Sequence, residues 1–182
     1  MIVERQILNQ KDIQITIERL CQQLIEHHGD FKNTVIVGVQ PRGTLLCSRI
    51  IARLRQILNT TSLESGSLDI SFYRDDLRRR DVPIIPEIMD MNLSLEAKNV
   101  VLIDDVLFTG RSIRSAIDAL MAFGRPKSVE LLTLIDRRFN RDLPIQPNYV
   151  GKTVDTIDSE RVIVEWKEEN GEDRIIMVKS DK

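Results

Sequence analysis

Apolar residues first recur at the spacing of a helix face. Ile13, Ile17, Leu20, Cys21, Leu24 and Ile25 place one stripe on an amphipathic helix that ends near His27, His28 and Gly29. The pattern then changes. Thr34 to Val39, TVIVGV, is an unbroken apolar run too short for a helix and rich in valine, so it reads as a strand buried on both faces. After the loop Gln40-Pro41-Arg42-Gly43, the apolar members Leu45, Ile50, Leu54 and Ile57 predict a second helix over Thr44 to Leu58, and Asp69 to Tyr73 predicts a further strand. Arg74 to about Lys98 is the least patterned region. It contains Pro83, Pro86 and the charge run RDDLRRRD, and it reads as a long, flexible loop.

The second half repeats the order of strand, loop and helix. VVLI (Val100 to Ile103) predicts a strand, DDVLFTG a loop, and Ser112 to about Phe123 a helix stopped by Gly124-Arg125-Pro126. Val129 to Ile135 predicts another buried strand, and RVIVEW (Arg161 to Trp166) with RIIMV (Arg174 to Val178) an antiparallel hairpin. Strands that alternate with helices and lack strict polar alternation point to an α/β architecture, a mainly parallel sheet with helices on both faces. Ligands of such sheets bind beyond the carboxyl ends of the strands. Three loops fall there: Gln40 to Gly43, Asp104 to Ser112, and Asp136 to Arg141.

Composition narrows the setting. The chain has 182 residues, 42% of them apolar and 30% charged, and its net charge of −2 gives no global pull toward polyanions. Any anion site is therefore local. One domain over residues 1–182 is expected, because a chain of about 150 residues already buries roughly 70% of its unfolded surface. Apolar runs are too short to cross a membrane, and MIVERQILNQ lacks a signal-peptide core, so a cytoplasmic protein is expected. Cys21 and Cys47 sit at apolar helix positions and read as reduced core residues.

Candidate chemistry gathers on Val100 to Ser112. Gly110 lets backbone approach a ligand, Thr109 and Ser112 add hydroxyl donors, and the helix start that follows carries a partial positive charge. This is a phosphate seat without the Walker spacing or its lysine. Asp104 and Asp105, just before it, are suited to the hydroxyls of a sugar whose 5′-phosphate sits on the helix end. Alone, DD is an Asp-rich turn, and Pro41-Arg42-Gly43 a commonplace one. Placed before a helix at the same sheet edge, Arg42 becomes a candidate pyrophosphate ligand. Pro41 permits a cis Gln40-Pro41 bond, although the ordinary trans form is expected.

The ordered string of four apolar residues, DD, VLF, TG, one residue and Ser resembles the phosphoribosyl-pyrophosphate signature of the type I phosphoribosyltransferases. DISFYRDDL (Asp69 to Leu77), LIDDVLFTGRSIRSAIDALMAFGRP (Leu102 to Pro126) and LIDRRFNRDLPIQPNYVGKTV (Leu134 to Val154) together resemble the bifunctional pyrimidine operon regulators and uracil phosphoribosyltransferases. The resemblance spans almost the whole chain. It implies the type I fold, with a small hood and the C-terminal hairpin, and conversion of uracil and phosphoribosyl pyrophosphate to UMP and pyrophosphate with Mg²⁺ near the acids. It further implies that Asp104, Asp105 and Arg42 are catalytic, and that substrate is held by Arg42, Arg74, Asp104, Asp105 and Val106 to Ser112, namely Val106, Leu107, Phe108, Thr109, Gly110, Arg111 and Ser112. Arg74 to Arg80 becomes a loop that closes over substrate. The base is assigned to Arg137 and the backbone of Val162, with Tyr149 to Lys152 shaping its pocket.

The same resemblance implies binding of a pyrimidine operon leader RNA, strengthened by UMP, and a homodimer or higher homo-oligomer. Candidate RNA contacts are Arg19, His27 or His28, Arg138 and Arg141. The chain departs from the regulators at Pro41, where threonine is common, and at RRFN, which replaces a shorter glycine- and histidine-containing segment. A phosphoribosyltransferase for a purine base or orotate, with no RNA role, is the alternative.

Overall fold

A computed structural model of the protein describes residues 3–73, 94–157 and 159–179. The predicted helices form, with shifted ends. α1 (Gln10–His28) opens on a capping box in which the Asn9 side chain accepts from the Asp12 N–H while the Asp12 carboxylate accepts from the Asn9 N–H. Gly29, at φ 60°, ends it. α2 covers Gly43–Leu58, and α3 covers Arg111–Leu120 and tightens into a 3₁₀ turn at Met121–Phe123.

The central sheet is parallel throughout, as expected. With β2 (Thr34–Val39), β3 (Glu64–Leu68), β4 (Asn99–Leu107), β5 (Ser128–Arg138) and β6 (Tyr149–Asp155), its strand order is β3-β2-β4-β5-β6. α1 and α2 cover one face, packing Ile13, Leu20, Leu46 and Ile50 on Ile36, Val101, Ile103 and Leu134. α3 covers the other, placing Ile113, Ala116 and Leu120 against Val37, Val100 and Leu102. β4 lies in the middle of the sheet, and its first five residues after Asn99 include four that are fully buried, which is why VVLI carries no polar alternation.

A second sheet forms the hood. β1 (Val3–Leu8), β8 (Arg174–Lys179) and β7 (Glu160–Glu165) pair antiparallel in the order β1-β8-β7. The expected hairpin is therefore the larger part of a three-stranded sheet, closed by a one-turn helix α4 (Lys167–Asn170). Arg49 of α2 fastens the hood to the core, donating to Asp173 at 2.6 and 2.8 Å and to Glu168 at 2.6 Å while lying 4.5 Å from the Trp166 ring centroid.

Four expectations need correction. Asp69 to Tyr73 is not a strand: β3 ends at Leu68, and the Asp69 carboxylate accepts the Ser71 N–H at 2.8 Å to start a 3₁₀ turn over Ser71–Tyr73. β4 does not end at Ile103 but runs through both acids to Leu107, and β5 extends to Arg138, so Arg137 is a strand residue. β1, β3 and β6 were invisible to apolar patterning. Gln40-Pro41 is cis, not trans. Most of the proposed flexible loop, with Arg74, lies outside the described residues. No described helix is long and apolar enough to cross a membrane.

Leu102→Ala removes a fully buried side chain from the middle strand and should lower unfolding free energy by about 3 kcal/mol. Urea denaturation measures it. A loss below about 1 kcal/mol would mean that the site does not pack as described.

Candidate active site

The carboxyl end of β4 sets the geometry. Adjacent residues of a strand point to opposite faces, so Asp104 and Asp105 diverge. Asp104 lines a cavity of about 260 Å³ with Val106, Leu107, Phe108, Thr109, Gly110, Arg111, Ser112, Ile113 and Ser115, all from the strand tip and the start of α3. The expected phosphate loop and the first acid thus share one space. Gly110, at φ 90°, is the N-cap of α3 and offers no side chain to cap it. A Cβ there would also lie 3.3 Å from Ile145 Cδ1.

Asp105 faces the other way and is 5% exposed. Its Oδ2 is buried and has no hydrogen-bond partner among the described residues. Burial pushes its carboxyl above the usual carboxylate range, and the charge of Arg42 draws it back. Arg42 is exposed at the N-cap of α2, in the loop after β2, so the second expected anion loop stands beside the second acid. Gly43 makes this closeness possible. A Cβ on Gly43 would sit 2.4 Å from the Ile103 carbonyl oxygen and 3.1 Å from Asp104 Cα, so only glycine lets α2 begin against the tip of β4.

Arg137 is 5% exposed, with its guanidinium 3.8 Å from the Phe108 ring centroid. Its Nε donates to Thr156 Oγ1 at 3.0 Å and its Nη2 to the Glu160 carbonyl at 2.8 Å. The phosphate loop, β5 and the hood are thereby joined, and Val162 lies two residues along β7 from the accepting carbonyl. The structure does not bring Tyr149 to this place. Tyr149 starts β6 in register with Leu132, five residues before Arg137 on β5, and its hydroxyl donates to Glu130 at 2.6 Å, while Lys152 donates to the Ile7 carbonyl at 3.4 Å.

The segment after β5 clasps the phosphate loop, a feature that patterning missed. Arg141 donates to the Phe108 carbonyl and to Asp136, the Asp142 N–H reaches the Thr109 carbonyl at 3.0 Å, and Arg111 Nε reaches Asp142 at 2.9 Å. The other candidate RNA contacts are scattered. Arg19 donates to the Val150 and Gly151 carbonyls at 3.2 and 2.5 Å, Arg138 pairs with Asp155 at 2.6 Å, and His27 lies near Glu130 at the far end of the sheet.

The cavity at the carboxyl end of β4 thus sets a carboxylate beside the glycine-headed start of a helix, an arrangement able to seat a phosphate. The family model for the phosphoribosyl transferase domain matches residues 4–169. Among curated proteins, the chain is 37% identical over 179 residues to the bifunctional protein PyrR of Enterococcus faecalis, covering 98% of this chain and 99% of the relative. It is 40% identical to the bifunctional protein PyrR of Chloroflexus aurantiacus, covering 97% and 96%. The chain belongs to the phosphoribosyl transferase domain family and, within it, to the bifunctional PyrR proteins. A hypoxanthine phosphoribosyltransferase from Staphylococcus aureus superposes with a TM-score of 0.69 at 28% identity, over 97% of this chain and 92% of that one. That of Trypanosoma cruzi reaches 0.72 at 15% identity, covering 97% of each chain, and shares the fold alone.

Gly43→Ala forces α2 away from β4 and should lower phosphoribosyl transfer about 100-fold, since displacements near 1 Å have effects of that order. Steady-state kcat/KM, with circular dichroism as the control for folding, is the measurement. Activity within a factor of two of the parent would show that the contact is slack.

Proposed function

We propose that the protein transfers a phosphoribosyl group from phosphoribosyl pyrophosphate to N1 of uracil in the cytoplasm, and that with UMP bound it recognises the leader RNA of a pyrimidine operon. The observation that carries the transferase reading is the shared cavity of Asp104 and the Thr109-Gly110-Arg111-Ser112 loop. The 5′-phosphate sits at the start of α3, receiving backbone N–H groups and the Thr109 and Ser112 hydroxyls. Asp104 accepts from ribose hydroxyls. As pyrophosphate departs from C1, positive charge grows on the sugar ring, and the two carboxylates stabilise it electrostatically without attacking it.

Arg42 neutralises the leaving pyrophosphate beside Asp105, and Arg74, outside the described residues, is assigned to the same substrate. Val106, Leu107 and Phe108 wall the ribose, Arg111 braces the phosphate loop through Asp142, and Arg137 with the Val162 backbone receives the base. The acids fit a hard divalent cation: both donors are carboxylates, and the buried Asp105 Oδ2 has an unused acceptor. Mg²⁺ would be held near Asp104 and Asp105 through the substrate and water, not by direct bonds to the acids, and would supply charge neutralisation at the pyrophosphate. The uracil and RNA assignments rest on kinship with the bifunctional PyrR proteins. Phosphates and unpaired bases of the leader would meet Arg19, His27, Arg138 and Arg141 on a homodimer or larger homo-oligomer.

Supplying uracil, hypoxanthine, guanine or orotate with phosphoribosyl pyrophosphate should yield UMP from uracil alone. Turnover of a purine or of orotate in its place would overturn the base assignment. Replacing Asp104 and Asp105 together with Asn should reduce kcat by about 100-fold or more while the fold persists. Near-parental kcat in that variant would remove the acids from the mechanism. Binding of the chain's own leader RNA should weaken steeply with salt and tighten with UMP. Absence of binding at low salt would eliminate the regulatory role and leave the enzyme intact.

A further inference from the structure

The far end of the sheet holds a second cluster of chemistry-bearing side chains that phosphoribosyl transfer does not use. α1 ends on His27 and His28, β5 supplies Glu130 from its third position, β6 begins with Tyr149 and β2 with Thr34. His27 Nε2 lies 3.3 Å from Glu130 Oε1, and His28 Nε2 lies 3.2 Å from Oε2 of the same carboxylate. All three donor atoms fall within 4.8 Å of one another. Imidazole nitrogens and a carboxylate oxygen arranged tetrahedrally around zinc stand about 3.4 Å apart, given bonds of about 2.0–2.2 Å. The two imidazole–carboxylate distances have about that length, each to a different oxygen of Glu130.

The supporting contacts match what metal-binding side chains need. A ligating histidine is oriented by a hydrogen bond at its other ring nitrogen, and ligating carboxylates are themselves hydrogen-bonded. His28 Nδ1 lies 3.2 Å from Thr34 Oγ1, and the Tyr149 hydroxyl donates to Glu130 Oε2 at 2.6 Å. His28 and Glu130 are largely enclosed, with side chains 2% and 14% exposed, while His27 is 62% exposed and can swing inward. A depression of about 380 Å³, which Asp30, Lys32 and Lys127 also line, gives a route from solvent and room for a water ligand. Hydrogen bonding alone would employ His28, Glu130 and Tyr149. His27 adds a second imidazole at the carboxylate's other oxygen, which completes a three-donor set.

We propose that His27, His28 and Glu130 bind a divalent transition-metal ion of the zinc class, with water completing its coordination. Two imidazoles and one carboxylate suit zinc or cobalt and disfavour magnesium and calcium, which take oxygen ligands. The site is separate from the reaction centre. Glu130 lies level with Val101 in the sheet register, three residues or about 10 Å along β4 from Asp104, and projects to the α1 side. A bound ion would pin the end of α1 to β5 and stabilise the folded chain by mass action.

Titrating the chelator-treated, full-length protein with Co²⁺ tests the proposal. One equivalent should give the intense visible band of a four- or five-coordinate ion, which Zn²⁺ removes and Mg²⁺ does not. His27→Ala changes an exposed side chain, so its fold should be retained by circular dichroism, and it should weaken Co²⁺ binding about tenfold or more. Glu130→Gln should do the same. No band at millimolar Co²⁺, or a band unaffected by His27→Ala, would overturn the proposal. A weak six-coordinate spectrum lost in Asp104→Asn would place the ion at the acidic pair and would also overturn it.

Discussion

The constraint on which the site depends is the close approach of Gly43 to the Ile103 carbonyl. Because that position has no Cβ, the first turn of α2 rests on the tip of the middle strand. Arg42, one residue earlier, is then held near Asp105, and the helix start adds its partial positive charge to that side. A larger residue at 43 would separate a cation from a buried carboxylate. The α2 loop and β4 therefore function as one unit, although 59 residues of chain lie between Gly43 and Ile103.

The two neighbouring acids are best understood from strand geometry. Had they left the sheet in a flexible turn, both could have faced one ligand. Kept within β4, they face opposite sides: Asp104 toward the α3 cavity and Asp105 toward Arg42. On the proposed reading, a substrate with a 5′-phosphate at one end and a pyrophosphate at the other would have its ribose between the two loops, and divergent carboxylates would serve its two halves. Their burial differs accordingly. An enclosed carboxylate with an unused oxygen is unfavourable unless a cation or donor arrives, and such a residue gains most when substrate brings one.

Much of this was legible because the middle of the sheet is buried on both faces. TVIVGV and VVLI are continuous apolar runs for that reason, and each ends at a ligand loop. The edge strands were not legible. β3 reads ESGSL and β6 reads YVGKTVD, sequences with little apolar content, because each pairs with one neighbour only. The Asp69 turn was hidden by DISFY, whose β-favouring residues suggest a strand while the Asp69 carboxylate takes the Ser71 N–H. Motif reading located the acids and the phosphate loop, since their chemistry is local in sequence. It could not see the clasp of Arg141 on Phe108 or the gathering of His27, His28 and Glu130, because side-chain contacts between distant segments leave no periodic trace.

The clasp bears on how one chain can join transfer to regulation. Arg141 and Asp142 hold the backbone of Phe108 and Thr109, and Arg137 stacks on the Phe108 ring. Beside them Arg138 and the exposed Phe139 face outward, with the guanidinium 5.3 Å from the ring centroid. On the proposed reading, occupation of the phosphate loop and binding of a polyanion to this surface would act on one set of contacts. Linkage requires reciprocity: if UMP tightens the hold on RNA by some factor, RNA tightens the hold on UMP by the same factor. Any such coupling must be expressed as a difference in the clasp between the two states, because a ligand that leaves those contacts unchanged in free energy cannot shift them.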